Sequence, residues 1–216
     1  VLGFINEESV MLERVHVVIQ SHPDREAFFR LVGRHFPRRS PEYLSIEKAY
    51  NTAKDAFRGE VREGGERYFE HLRAVTLIVM EILRVRKPEI IIAALLHDII
   101  EDIEGWSQDR VALEFGHEVS QLVWWVTKPC VSEYDNDEEA RNRAYHQQLG
   151  AARREAVLIK LADRLHNVTT LWSTSEEKQR RKVRETQDFY LLLAEMHIIL
   201  IHELEAAIES VMESWT

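Results

Sequence analysis

Four side chains able to hold a metal ion or move a proton crowd into six residues at the end of the stretch IIIAALLHDIIED: His97, Asp98, Glu101 and Asp102. At about 100° per residue they fall at roughly 0°, 100°, 40° and 140°, on one side of a helix that is apolar all round ahead of them. A helix of that kind is normally buried, and carboxylates at its end are costly unless something pairs with them. A metal ion would answer that cost; equally, the helix could surface here and leave the charges in water. His71 lies upstream in the opening turn of another predicted helix, where a lone His is usually a surface or capping residue. A third group sits in VLIKLADRLHNVTTL. There Leu158, Leu161, Leu165 and Val168 make an apolar stripe, and Asp163, Asn167 and Thr170 recur at i, i+4 and i+7 beside it. That second stripe reads as a ligand-lined face or as an ordinary polar edge. His166, about 60° from Asp163 on the other side, reads as a structural histidine.

The elements that must position these residues are helices. Apolar residues recur at three and four rather than two, and with only 8 Gly and 5 Pro in 216 residues no segment makes a strand pattern. The fold class is all-α. Helices are predicted over 7–20 and 25–35, the second capped by Asp24 and stopped by Pro37. Ser40-Pro41 opens another to Phe57, with Leu44, Ala49, Ala53 and Ala56 available for packing. A loop punctuated by Gly59, Gly64 and Gly65 runs from Arg58 to Arg67. Helices follow over 68–85, over the central stretch to Asp102, and over 110–115 and 118–126, the last carrying Trp124-Trp125 as packing residues. Residues 128–139 are polar and expected to begin as a mobile loop. Helix returns over 141–149 and 157–171, then as one or two long helices to about Ser214, whose charges from Glu176 to Arg184 read as a solvated face.

Composition excludes several functions. Lys+Arg of 28 against Asp+Glu of 37 gives a net charge of −9, which argues against a general nucleic-acid or anionic-membrane binder. A small anionic substrate stays open, because a metal with a few Arg or Lys reverses the sign locally. The single cysteine, Cys130, excludes an intrachain disulfide and a cysteine zinc cluster, and makes a reducing cytosol the default. Charges interrupt the first apolar residues and no uncharged run approaches the roughly 20 residues of a spanning helix, so a soluble cytoplasmic protein is expected.

His71, the pairs His97-Asp98 and Glu101-Asp102, and Asp163 within LIKLADRLHN give the chain a specific resemblance to the HD-type metal phosphohydrolases. Within them it is similar to the hydrolase domain of RelA/SpoT-type alarmone enzymes. AFRGEVREGGERYFEH resembles that family's A-H-x-G-Q-x-R and G-E-P-Y-I-x-H patterns. AALLHDIIED, FGHEVSQLVWWVTK, IKLADRLHN and RETQDFYLLLAEMHIILIHELEAAI follow in the family's order. The resemblance covers about residues 41–208. It implies a helical bundle around one metal site over 41–216, with 1–40 as an N-terminal helical extension, and the sequence stops before a synthetase domain would start.

Carried over by position, the resemblance makes His71, His97, Asp98 and Asp163 the ligands of one divalent ion, manganese in that family; two imidazoles with two carboxylates suit a first-row transition ion. Glu101 and Asp102 match the acidic pair that directs the attacking water and manages the leaving group's proton. Arg62 matches the residue whose guanidinium stacks on guanine, Asn167 and Thr170 match nucleoside contacts, and Arg164 is a candidate for phosphate. The implied reaction removes the 3′-pyrophosphate of guanosine tetra- or pentaphosphate, giving GDP or GTP. The chain departs from the family at Phe57 (usually His), Glu60 (Gln), Arg67 and Leu72 (Pro), Thr169 (Arg) and at Trp124-Trp125. These departures keep open an HD phosphohydrolase for another nucleotide, such as a nicotinamide dinucleotide phosphate or a deoxynucleotide. A non-catalytic alarmone sensor is the other alternative.

Overall fold

The computed structural model describes residues 7–215, with side chains from Val10 onward, and among them it is built of helices and their connections. In chain order these are α1 (Glu7–Gln20), α2 (Arg25–His35), α3 (Pro41–Ala56), α4 (Tyr68–Leu77), α5 (Pro88–Leu96), α6 (Ile99–Asp102), α7 (Gln108–Phe115), α8 (His117–Val126), α9 (Glu138–Gly150), α10 (Arg154–Thr169), α11 (Glu176–Glu185), α12 (Leu191–His197) and α13 (Ile201–Glu213). The caps are those the sequence implies. Asp24 accepts the Ala27 N–H at 2.8 Å, and Ser40 accepts that of Tyr43 at 3.2 Å ahead of Pro41 in the first turn.

α5 is the centre of the molecule. Every residue from Ile90 to Leu96 is buried, against α3, α4, α8 and α10. Each large side chain there, Ile90, Ile91, Ile92, Leu95 and Leu96, contributes roughly 1.5–3 kcal/mol by leaving water. The helix does not run on to Asp102 as its sequence suggests. It ends at Leu96, Asp98 takes φ −101° and ψ 0°, and α6 restarts with Ile99. His97 Nδ1 lies 2.9 Å from the Ala94 carbonyl, a group that the amide of residue 98 would use in a continuous helix. The side-chain bond replaces the backbone one, and the helix breaks at the His-Asp pair.

Other boundaries shift for similar local reasons. α4 gives way at Ile78–Ile82 to one π-helical turn, whose wider circuit lets Ile78, Val79, Met80 and Ile82 all reach the interior. α11 passes through a π-helical turn, Thr186–Tyr190, into α12, and the left-handed Ile198 (φ 55°) and Leu200 (φ 54°) then separate α12 from α13. Leu44, expected to pack, is exposed; Ile46 and Tyr50 fill the core face of α3 instead. Trp124 is 41% exposed, so only Trp125 of that pair packs on the core. The polar connection after α8 carries a 3-10 turn, Val131–Tyr134. α1 and α2 pack into the same core as the rest: Val15 is fully buried, Phe28 and Phe29 close on Tyr50 with ring centroids at 5.0 and 5.1 Å, and α1 lies against α13.

Candidate functional site

Three elements meet at the end of α5. α4 brings His71, the break after α5 brings His97 and Asp98, and α10 brings Asp163; all four are buried. Their inward atoms converge. His71 Nε2 stands 3.2 Å from Asp163 Oδ1 and 3.7 Å from Asp98 Oδ2, while His97 Nε2 stands 3.1 Å from Asp98 Oδ2 and 3.7 Å from Asp163 Oδ1. Donor atoms about 2.1 Å from a shared ion stand roughly 3.0–3.5 Å from one another, so the spacing suits one cation. His71, His97 and Asp163 form the tightest group, with one atom each within 4.8 Å of the others, and Asp98 joins through its approach to both imidazoles.

Two observations suit the cluster to a positive charge. His97 Nδ1 is engaged by the Ala94 carbonyl, so the proton belongs there and Nε2 turns a lone pair inward; that buried nitrogen has no hydrogen-bond partner, its contact with Asp98 being poorly aligned. The electrostatics agree. Burial opposes a charged imidazole, yet Asp98 and Asp163 outweigh it and push His97 up to about 10. Burial likewise opposes charge on Asp98 and Asp163, but His97 beside the first and Lys160 beside the second hold both carboxyls below their ordinary range. A divalent ion meets the same demand and leaves the imidazoles neutral.

The neighbours of the four residues fix their orientation. Lys160 Nζ holds Asp163 Oδ2 at 2.7 Å and Asn167 Nδ2 donates to Oδ1 at 2.5 Å, which aims Oδ1 at the histidines. His71 Nδ1 meets His166 Nδ1 at 2.9 Å, so His166, read from the sequence as a structural histidine, is buried with a hydrogen-bond partner in the cluster. The Tyr68 hydroxyl lies 2.8 Å from Asp98 Oδ2 and 2.7 Å from Asp102 Oδ2; with one proton to give, it links the two carboxyls. The acidic pair divides at this point. Asp102 turns to Tyr68, whereas Glu101 turns to the other flank, accepting the Lys128 N–H at 3.0 Å. Burial raises both carboxyls, Glu101 against the pull of Lys160 and Asp102 against its bond from Tyr68.

Beside Asp163 opens a cavity of about 260 Å³. One wall is the loop from Arg58 to Arg67, folded tightly by the Arg62 N–H on the Glu66 carbonyl at 2.8 Å and an isolated bridge between Val61 and Arg67. Here the structure brings together the residues expected to touch substrate. Arg62 Nη2 donates to Asn167 Oδ1 at 2.5 Å, and Nη1 reaches Thr170 Oγ1 at 3.1 Å and Glu66 Oε1 at 2.7 Å. Arg164 lines the cavity too, its guanidinium 3.7 Å above the Tyr190 ring and 3.2 Å from Glu185. An ion pair between Lys178 and Glu63 ties α11 to the loop.

Sequence reasoning missed the cations on the far wall. Lys128 and Lys182 line the cavity with Lys160 and Arg164, and burial pushes both amines down, helped by Arg141 beside Lys128 and Arg164 beside Lys182. Crowded cations of this kind favour an incoming polyanion over water. Lys160 was detectable as the residue one turn before Asp163 on the same face. Lys182 was not, since it lies in the stretch from Glu176 to Arg184 that reads as a solvated face, and Lys128 sits in a connection. Of the departures from the family pattern, Phe57 stacks behind Tyr68 at 4.8 Å and Thr169 faces a separate cleft with Trp172; neither these nor Glu60, Arg67, Leu72, Trp124 and Trp125 lines the cavity.

Comparison with known proteins adds to this geometry. The SpoT bifunctional (p)ppGpp synthase/hydrolase of Escherichia coli K12 is 36% identical over 186 residues, covering 85% of this chain and 26% of that protein. The guanosine-3′,5′-bis(diphosphate) 3′-pyrophosphohydrolase of Vibrio cholerae is 36% identical over 78% of this chain and 24% of its own length, and a GTP pyrophosphokinase of Streptomyces antibioticus is 37% identical over 81% and 20%. The chain thus spans about a quarter or less of the length of these curated relatives. A solved structure described as a metazoan SpoT ortholog that hydrolyses ppGpp superposes with a TM-score of 0.62 at 23% identity, over 77% of this chain and 94% of that one, which shows a common fold. The HD-domain profile matches residues 49–197, the span that holds His71, the His97-Asp98 pair and Asp163, and the chain accordingly belongs to the HD-domain family.

Proposed function

We propose that the chain is a metal-dependent phosphohydrolase that removes the 3′-pyrophosphate of guanosine tetra- and pentaphosphate, releasing GDP or GTP and pyrophosphate. The observation that carries this reading is the cavity: Asp163, one member of a His/Asp cluster suited to one cation, lines it together with Lys128, Lys160, Arg164 and Lys182. A polyphosphate would lie between them. His71, His97, Asp98 and Asp163 would hold the ion, with manganese our choice of metal, and the bound ion would acidify a water and neutralise phosphate charge. Glu101 lies in the cavity with its carboxyl raised by burial, placed to take the water's proton as the new P–O bond forms. The bond from phosphorus to the 3′ oxygen breaks, and that oxygen regains a proton, a role we assign to Asp102, whose carboxyl burial raises and which bonds Tyr68. Lys128, Lys182 and Arg164 would keep the departing pyrophosphate charge-paired.

At the other end, Arg62 would exchange its bonds to Asn167 and Thr170 for a stack on the guanine, leaving those two polar groups for the nucleoside. The location of the departures favours this substrate over a different nucleotide, because none of them lines the cavity. Among the described residues no helix is long and apolar enough to cross a membrane, and we assign the activity to the cytoplasm, on a free nucleotide rather than on nucleic acid or a membrane surface. The test compares pyrophosphate release from guanosine tetraphosphate with phosphate release from a reduced nicotinamide dinucleotide phosphate, with manganese. Pyrophosphate from the first, with binding weakened by roughly 1–2 kcal/mol in Arg62→Ala and not rescued by Arg62→Lys, supports the proposal. Phosphate from the dinucleotide and none from the alarmone would transfer the function to the alternative.

A further inference from the structure

The buried pair of imidazoles behind the metal cluster carries one inference further, resting on the proposal that an ion is held there. His71 Nδ1 and His166 Nδ1 are 2.9 Å apart, both rings are buried, and their centroids lie 4.9 Å apart at 48°. A contact that short between two nitrogens needs one proton and one lone pair, since two N–H groups would collide and two lone pairs would repel. The direction follows from the far side of His71. Its Nε2 faces Asp98 and Asp163 at 3.7 and 3.2 Å, and it can give a lone pair to a cation only if the ring's proton sits on Nδ1. His166 Nδ1 must then be the acceptor, with its own proton on Nε2.

We infer that His166 is a positioning residue for the metal centre: by accepting the His71 Nδ1–H it fixes the tautomer and the ring angle that aim His71 Nε2 at the ion. His97 has the same arrangement made differently, with the Ala94 carbonyl as acceptor. Each histidine of the cluster is thus oriented from behind by one acceptor, a carbonyl for one and a neutral imidazole for the other. His166 lies on α10 three residues after Asp163, so this helix supplies one candidate ligand and the support of another.

The test is metal affinity. Manganese binding to wild type, His166→Phe and His166→Asn would be measured by calorimetric titration, with thermal unfolding of each metal-free protein as the control for folding. Phenylalanine fills the site without an acceptor, whereas the asparagine Oδ1 stands near the position of the lost Nδ1. The expected result is a Kd weakened by about 10- to 100-fold in His166→Phe and largely restored in His166→Asn. Equal Kd in wild type and a folded His166→Phe, or an asparagine variant as weak as the phenylalanine one, would overturn the inference and leave the metal site standing. A wild type that binds no manganese would remove the metal reading itself, and the inference with it. Wild type also gives a readout independent of any variant's folding. In the 15N-labelled, zinc-loaded protein, a scalar coupling between the two Nδ1 atoms across the hydrogen bond, with the proton directly bonded to His71, supports the assignment; a proton on His166 Nδ1, or no coupling, overturns it.

Discussion

At the scale of single residues, binding and chemistry separate on opposite sides of the break after α5. Asp163 offers Oδ1 inward and gives Oδ2 to Lys160. Asp163→Ala should therefore abolish both metal content and hydrolysis, and metal analysis of the purified variant with full occupancy would refute its place among the ligands. Glu101 faces the cavity and the Lys128 amide instead of the cluster. Glu101→Gln should keep its ion and its affinity for substrate while kcat falls by roughly two to four powers of ten. The pH dependence follows with a definite sign. A base works when deprotonated, and burial raises the Glu101 carboxyl, so activity should fail on the acid side above about pH 4.5, the ordinary glutamate value. An acid limb of the pH–rate profile that persists unchanged in Glu101→Gln would exclude Glu101 as the base.

At the scale of elements, two contacts hold the cavity walls, and neither was visible in spacing. Gly64 lies tight against the turn after α10: a Cβ there would stand 2.7 Å from Ser173 Oγ and 3.1 Å from Ser173 Cβ. Gly64→Ala should displace the loop that carries Arg62 and raise KM with metal content unchanged, and Ser173→Gly added to it should recover most of the loss; steady-state kinetics on the single and double variants would show this. On the opposite wall, Glu185 joins α11 to α10 through Arg164 and also pairs with Lys182 on its own helix. Burial would raise its carboxyl, but His146, Arg164 and Lys182 hold it well below the usual range. A depressed folded pKa stabilises the protein above about pH 4.5, the unfolded value, and that stability fades as pH falls further. Glu185→Gln should thus lower the melting temperature at pH 7 and differ less from wild type towards pH 3. The cations it organises explain what was illegible in the sequence. Lys182 reaches the cavity only through the fold, from a stretch whose pattern is that of a solvated face, whereas Arg164 as a phosphate candidate and His97, Asp98 and Asp163 as candidate ligands were readable through the resemblance their segments carry. Helix positions were legible through caps such as Asp24 and Ser40, but the break at His97 was not, because it depends on one side chain capturing the Ala94 carbonyl.

For the whole molecule, the candidate ligands come from three elements that the ion would fasten together, so its removal should be felt globally. A metal at 100 times its dissociation constant adds about 2.7 kcal/mol to a native state that alone can bind it. Chelation should lower the melting temperature by several degrees in wild type and by nothing in Asp163→Ala, which scanning calorimetry would distinguish from a surface effect. The packing of α1 on α13 has a consequence of another kind, in the time course of folding. The α3, α4, α5 and α8 contacts join segments near one another in sequence, whereas α1 and α13 must close nearly the full length of the described chain before any apolar surface between them is gained. That pair should dock last and release first. Native-state hydrogen exchange should then grade outward from α5, with the amides of α1 opening in excursions that leave the His71–His97–Asp163 cluster closed, so that the edge of the protein breathes while its centre stays shut.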